Sequence, residues 1–223
     1  MVNHAQVPLE SIRIAGGSGR VRVRAVAGLG DVEVDGAAGV IDGTEVTVNG
    51  GSSTVEVRMP EGLDLVIGTS SGRVDTFGRA GSVAVVTNSG RVSIDEAASV
   101  DVRVGSARVD VVSVEDECRV VGGSGSVTIG RCGPASVTTR SGRITMREVH
   151  GRAQAHCSSG RIDVTMASPN DVDAETVSGR ITITMPAGTR VRIDTPTSQP
   201  VAADGECECV VMARSGSGRV VVE

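Results

Sequence analysis

The chain has no lysine, tryptophan or tyrosine, and it has a single phenylalanine among its 223 residues. Without tryptophan and tyrosine it lacks the side chains that usually stack on the bases of single-stranded nucleic acids. Its net charge of -5 gives no basic footprint either. We therefore expect no nucleic-acid partner, and we expect a core of β-branched aliphatic side chains that fill small, similar slots.

Long apolar segments are also missing. No apolar run approaches the roughly 20 residues that span a bilayer, and the opening residues, MVNHAQVPLESIRI, do not join a basic start to an apolar stretch. These absences predict a cytoplasmic chain without a transmembrane segment. The five cysteines are an odd number, which in a reducing compartment disfavours a disulfide framework. They are Cys118, Cys132, Cys157, Cys207 and Cys209.

The chain contains seven similar copies of a nine-residue sequence motif, from TSSGRVDTF to TVSGRITIT. Its serines stand 17 to 19 residues apart, at Ser71, Ser89, Ser106, Ser124, Ser141, Ser159 and Ser178. Further copies surround Ser18, Ser52 and Ser217, and a degenerate copy, RVRIDTPTSQ, has Thr197 in the serine position. We expect this degenerate copy to lie between the copies of Ser178 and Ser217, so that about twelve copies of 17–20 residues follow one another along the chain and stack in that order.

Within each copy, apolar and polar residues alternate with a period of two, which predicts short strands with one face inward. Glycine accepts positive φ at little cost, so the Ser-Gly pair marks a tight turn. A single coil of this length buries little, but coils stacked about 4.8 Å apart pair their backbones and align equivalent side chains. The sequence therefore predicts an all-β protein, a single-stranded β-helix or β-solenoid of about twelve coils, with no helices of note.

We find no linker, and we expect one β-solenoid domain over residues 1–223. Residues 1–60 and 185–223 contain degenerate coils, and residues 61–184 contain the regular ones. The clearest breaks, Met59-Pro60-Glu61-Gly62 and Met185-Pro186-Ala187-Gly188, occupy matching points of a coil. They are predicted to be corners.

The arginine of the repeat forms the main candidate binding feature, a stripe of cations near 5 Å spacing that would repel one another unless neutralised. Such a stripe could bind an anionic polymer, lipid headgroups or an acidic protein partner. Alternatively, acidic residues two positions on, such as Asp75, Asp110 and Asp163, and turn carbonyls satisfy the arginines. We favour this second explanation because Ser126 interrupts the stripe. The stripe consists of Arg73, Arg91, Arg108, Arg143, Arg161 and Arg180, with Arg20 and Arg219 at its ends.

Catalysis is not expected. The serine column and the threonines four places before arginine are predicted to bond to one another and to turn amides. As nucleophiles they would each need a base within reach, and the chain has only three histidines, His4, His150 and His156. The last two fall in one coil with no recurring carboxylate beside them. The clustered acids of sugar-cleaving enzymes are absent as well. The threonines are Thr69, Thr87, Thr139 and Thr176.

No metal site or other cofactor is predicted. Cys207 and Cys209 share a strand face, but no second close pair of cysteine or histidine ligands is visible. Cys118 occupies a core column. The cysteines are best explained as small buried hydrophobic residues.

The chain stops at Glu223, in the middle of a core strand. A stack of coils leaves unpaired strand edges at its ends, which soluble solenoids normally cap. We therefore expect end-to-end association into a homo-oligomer, a dimer or a filament, through Val220, Val221 and Val222.

The columns resemble the bacterial toastrack domains, β-strand-repeat domains that also carry an adhesin label. Their pattern is V-x-V-x-T-x-S-G-[DR]-[VI] with P-x-G corners, as in MPEGLDLVIGTSSGRV and MPAGTRVRIDTPTS. The resemblance implies a single-stranded β-helix with an interaction or assembly role and no catalytic residues. Bactofilins, cytoplasmic β-helices that polymerise end to end, are a second resemblance. The resulting hypothesis is a non-catalytic scaffold that self-associates through its coil ends; the alternative is a binding module that uses the arginine stripe.

Overall fold

A computed structural model describes residues 9–42, 44–194 and 208–223. These residues contain strands and no helix, so none of them forms an apolar helix long enough to cross a membrane. The strands are β1 Ser11–Gly16, β2 Arg20–Val26, β3 Glu33–Asp35, β4 Ala38–Asp42, β5 Glu45–Gly51, β6 Val55–Pro60, β7 Asp64–Val114, β8 Cys118–Cys132, β9 Ala135–Val149, β10 Ala153–Met166, β11 Val172–Thr184, β12 Val191–Asp194 and β13 Cys209–Val222.

From β7 to β11 the coils stack in chain order, each pairing in parallel with the next. The register places equivalent residues of successive copies side by side: Val120 pairs with Val137, and Val137 pairs with Ala155. The strands continue through the Ser-Gly corners, which is why β7 runs through several copies. The predicted all-β solenoid is confirmed, while the number of coils stays a prediction.

Aliphatic columns fill the inside of the stack. Val120, Val137 and Ala155 are fully buried, as are Ile144 and Ile162 in the column that follows the arginine. Burying one such aliphatic side chain stabilises the fold by about 1.5–3 kcal/mol relative to leaving it exposed. The core is thus the same few slots repeated along the stack, as the composition predicts.

At both ends the coils stand out of chain order. Strand β1 lies between β5 and β7, because Ser11 pairs with Glu45 on one side and with Asp64 on the other. Strand β13 lies directly against β11, and the short β12 pairs with the other side of β13. The prediction that the degenerate copy lies between the copies of Ser178 and Ser217 was therefore wrong, because its strand, β12, is outermost. Thr197 lies outside the described residues.

The glycine corner explains the order at the N-terminal end. A Cβ added to Gly72 would overlap the carbonyl oxygen of Gly19, and one added to Gly19 would overlap that of Ser53. Each glycine is thus crowded from the same side of the stack. The coil that has Ser53 instead of glycine lies outermost on that side, where no further Ser-Gly-Arg corner of the described chain follows it.

The two ends of the stack are covered differently. Strands β3 and β4 pair antiparallel with β6 and β5, so they cover the edge of the outermost N-terminal coil. At the other end β12 pairs with β13 only from Cys209 to Met212. The two predicted corners are confirmed, since Gly62 and Gly188 have nearly the same positive φ of 81° and 84°.

Candidate functional site

The Ser-Gly-Arg corner is built around a strip of glycines with no space for a side chain. Gly142, at φ 129°, packs so closely on the coil before it that an added Cβ would overlap the carbonyl oxygen of Gly125. The same overlap recurs from Gly160 to Gly142 and from Gly179 to Gly160. Because both the conformation and the close approach require glycine, the residues on either side of the strip are held in fixed columns.

The arginines that follow these glycines form one stripe along the stack. Arg143 pairs in register with Arg161, and Arg161 with Arg180. The reordering of the end coils extends the stripe, because Arg20 stands directly beside Arg73 and Arg219 beside Arg180. All eight arginines are exposed. Ser126 interrupts the stripe between Arg108 and Arg143, as the sequence indicates.

Neutralisation by nearby acids, the explanation favoured from sequence, holds for one arginine. Arg73 Nε lies 2.7 Å from Asp75 Oδ1, and the carboxylate side chain is only 5% exposed. Arg108 Nε donates to Ser126 Oγ at 3.3 Å instead of binding Asp110. The side chains of the other stripe arginines form no ion pair or hydrogen bond within the described residues, so the explanation was wrong there. These are Arg20, Arg91, Arg143, Arg161, Arg180 and Arg219.

Arginines outside the stripe form ion pairs with carboxylates more often than those within it. Of the 14 arginines outside the stripe, six form ion pairs with a carboxylate in the described residues, against one of the eight within it. The pairs include Arg22 with Glu56 at 2.6 Å and Arg13 with Glu45 at 2.7 Å. The stripe therefore remains cationic on a chain whose net charge is negative.

Open grooves follow this corner. One, of about 600 Å³, is lined by Ser126, two glycines of the strip and the arginines Arg143, Arg161 and Arg180. A second, of about 480 Å³, continues it on the other side of Ser126, beside Arg108. The lining of the first groove contains no apolar side chain beyond the arginine stems. It presents glycine backbone, hydroxyl and guanidinium groups to solvent.

The hydroxyl columns beside the strip behave as predicted in part. Ser124 Oγ lies 3.3 Å from Ser141 Oγ, and Thr69 Oγ1 donates to Thr87 Oγ1 at 2.9 Å. The buried hydroxyls of Thr139 and Thr176, however, have no hydrogen-bond partner in the part of the chain that the structure describes. The residue between them is Cys157, whose thiol donates to the carbonyl oxygen of Ser159 and so cannot continue the chain of hydroxyls.

The histidines are not placed as bases for these hydroxyls. His150 Nε2 lies 3.0 Å from Glu148 Oε1, and His156 Nδ1 lies 3.5 Å from Glu175 Oε2. The sequence predicts no recurring carboxylate beside these two histidines, and each contacts one glutamate: Glu148 lies two residues before His150, whereas Glu175 comes from the adjacent coil, which sequence spacing does not reveal. His4 lies outside the described residues, and those residues contain no cluster of three or more metal-ligating side chains.

The described cysteines are buried in the core, as predicted. Burial raises the pKa of the Cys132 thiol to about 11. It also raises the pKa of Cys118 well above its ordinary value, with a smaller contribution from the charge of Cys132. Cys209 is buried on β13, and Cys207 lies outside the described residues.

The predicted assembly residues, Val220 to Val222, lie at the end of β13. They pair with Ile181, Thr182 and Ile183 of β11, and Val220 and Val222 pack partly buried against the core. In the described residues β12 does not reach them. Association through these residues stays a prediction.

Comparison with known proteins places the chain in a family. A search of curated proteins returned no match. Among solved structures, a protein from Clostridium sporogenes ATCC 15579 described as a "putative cell adhesion protein" is 7% identical, with a TM-score of 0.21, over 100% of this chain and 95% of that one. The profile of the family described as Toastrack DUF4097 matches residues 2–199. This match covers most of the sequence, and the chain therefore belongs to the Toastrack family.

Proposed function

We propose that this toastrack domain is a non-catalytic binding module that holds an extended anionic partner along its arginine stripe. The observation that carries the proposal is a row of exposed guanidinium groups, six of the eight without a partner among the described residues, on a protein that has more acidic than basic residues. Two such groups about 5 Å apart repel each other by about 0.8 kcal/mol in bulk water. A bound chain of anions would remove this repulsion and form charge-assisted hydrogen bonds.

The order of the coils supports the proposal. If the coils followed the chain, copies without arginine would separate Arg20 and Arg219 from the rest of the stripe. In the structure Arg20 adjoins Arg73 and Arg219 adjoins Arg180. The arginines thus continue from coil to coil over the Ser-Gly-Arg corners, apart from the break at Ser126, and among the described residues a carboxylate neutralises only Arg73.

Self-association through the coil ends has less support. The edge of the outermost N-terminal coil is already covered by the antiparallel strands β3 and β4. An association that used this end would have to form on those short strands or displace them. The stripe, by contrast, is open to solvent along its length.

A direct test measures binding of polygalacturonate, polyglutamate and polyphosphate by isothermal titration calorimetry at low and at high salt. The test variant replaces Arg143, Arg161 and Arg180 by Gln. Its matched control replaces three arginines outside the stripe that are exposed and unpaired in the described residues: Arg119, Arg147 and Arg152. Both variants lose the same charge, so only the position differs.

We expect at least one polyanion to bind, with an affinity that falls as salt rises because exposed charges are screened. The stripe variant should lose about tenfold or more, and the control should stay within about twofold. Equal losses in the two variants, or no binding by any of the three polyanions, would contradict the proposal. Circular dichroism of both variants checks that the solenoid is retained.

A further inference from the structure

The regular spacing of the stripe restricts the kind of polymer that it can follow. Adjacent strands of a sheet lie about 4.8 Å apart, so the backbones of Arg143, Arg161, Arg180 and Arg219 rise along the stack in equal steps of that size. These four form the longest uninterrupted run of unpaired arginines in the stripe. A partner that meets each of them with one anion needs nearly the same repeat.

Several common polyanions do not have this repeat. In an extended acidic peptide, side chains on one face recur about every 6.6 Å, and the mismatch grows by about 2 Å at each coil. Phosphates along one strand of duplex DNA advance by about 3.4 Å along the helix axis and wind around it, so they do not follow a straight row. An acidic helix advances about 5.4 Å per turn, but helices dock through an apolar face in a hydrophobic groove, and this groove has no apolar lining.

A linear chain of acidic pyranose sugars advances by close to one coil step per ring, and rotation about its glycosidic bonds can turn successive acid groups toward the same side. The corner also offers groups for the sugar hydroxyls. Ser141, Ser159 and Ser178 form a parallel column of hydroxyls two residues before the arginines, on the other side of the glycine strip. Each coil thus presents one hydroxyl and one guanidinium group, which suits a repeating unit that carries both hydroxyls and one acid group.

Resting on the proposed function, we propose that the ligand is a linear polysaccharide with one carboxylate or sulfate per sugar, bound along the run from Arg143 to Arg219. The arginines bind the acid groups and the serines bind the ring hydroxyls. The backbones of Gly142 and Gly160 line the groove between the serines and the arginines. The run ends where Ser126 replaces arginine and engages Arg108.

Length dependence is the distinctive prediction. Oligogalacturonates of two to eight sugars are titrated into the protein by calorimetry at low salt. Because the run contains four arginines, affinity should rise with each sugar up to about four and then level off. Arg161→Gln should weaken tetrasaccharide binding about tenfold. Arg147→Gln, an exposed arginine outside the stripe, should change it by less than about twofold.

The same titrations with polyglutamate and polyphosphate separate this inference from the proposed function. If either of these binds as tightly as galacturonate of equal charge, with the same loss in Arg161→Gln, the polysaccharide inference is overturned and the anion-binding function stands. If galacturonate affinity rises with length without levelling off, the register argument fails. If no polyanion binds through Arg161, both proposals fail.

Discussion

The middle of the solenoid and its two ends use the same repeat, but only the middle stacks it in chain order. From β8 to β10 each coil has its sequence neighbours on both sides. At the ends, the coils that contain Gly19 and Gly218 are placed next to the other glycine corners, and the neighbouring copies are moved outward. The comparison indicates that stacking is selected by the match between corners, even where this requires a longer connection.

Glycine substitutions test this comparison most strongly. Gly142→Ala should lower the free energy of unfolding by about 3 kcal/mol or more, because its Cβ would overlap the backbone of the preceding coil. Gly62→Ala, near the N-terminal end, should cost about 1 kcal/mol. Its φ is also positive, 81° against 129° at Gly142, but the space around it is open. Urea denaturation measures both. Similar costs at the two positions would show that turn conformation, and not close stacking, makes the corner glycine necessary.

Truncating core side chains should show the same contrast between the middle and the ends of the stack, with a smaller loss of stability. Ile144→Ala removes a fully buried side chain in the middle of the stack and should cost about 2–5 kcal/mol. Val222→Ala acts at the end, where the side chain is only partly buried, and about 1 kcal/mol or less is expected. Thermal unfolding monitored by circular dichroism decides between this gradient and a uniformly stable stack.

Alkaline pH should destabilise the middle of the stack through the ionisation of Cys132. Its pKa is raised from 9.0 to about 11 by burial, so the folded protein keeps the proton that the unfolded chain releases. Its contribution to stability is therefore complete below about pH 9 and is lost as pH rises from 9 to 11. Urea midpoints across this range should fall more steeply for the native sequence than for Cys132→Ala. Parallel curves would contradict the assignment.

The smallest expected effect compares two arginines of the stripe. Arg73→Gln removes the partner of the buried Asp75 carboxylate and should cost about 1 kcal/mol. Arg161→Gln removes a charge that has no partner in the described residues and should change stability by less than about 0.5 kcal/mol. Urea denaturation of the two single variants is the measurement. A large loss at Arg161 would mean that the stripe stabilises the fold, which would weaken its assignment as a binding surface.

The sequence predicted the columns well because the repeat period and the alternation of apolar residues determine the register. The pairing of Val120 with Val137 and of Arg143 with Arg161 follows directly from the alignment of the copies. The order of the end coils could not be predicted in this way. Any two copies can pair in the same register, so the alignment shows which residues correspond but not which copies are neighbours.

Which arginines of the candidate site form ion pairs was harder to predict. An aspartate two positions after an arginine lies on the same face, yet among the described residues only Asp75 binds its arginine, and Arg161 has no partner there despite Asp163. Which of these pairs forms depends on the side-chain rotamers and on the neighbouring coils. Asp75 stands beside Arg22 of β2, a neighbour that the chain order did not indicate.

The insertion of β1 between β5 and β7 also affects how the chain reaches its native state. Residues 11–26 are synthesised early, but their partners, such as Glu45 and Asp64, follow 34 and 53 positions later. The first coil therefore cannot serve as a finished template for the second, as it could in a solenoid that winds in order. Closing these longer loops costs entropy and slows folding, so nucleation should favour the regular coils further along the chain.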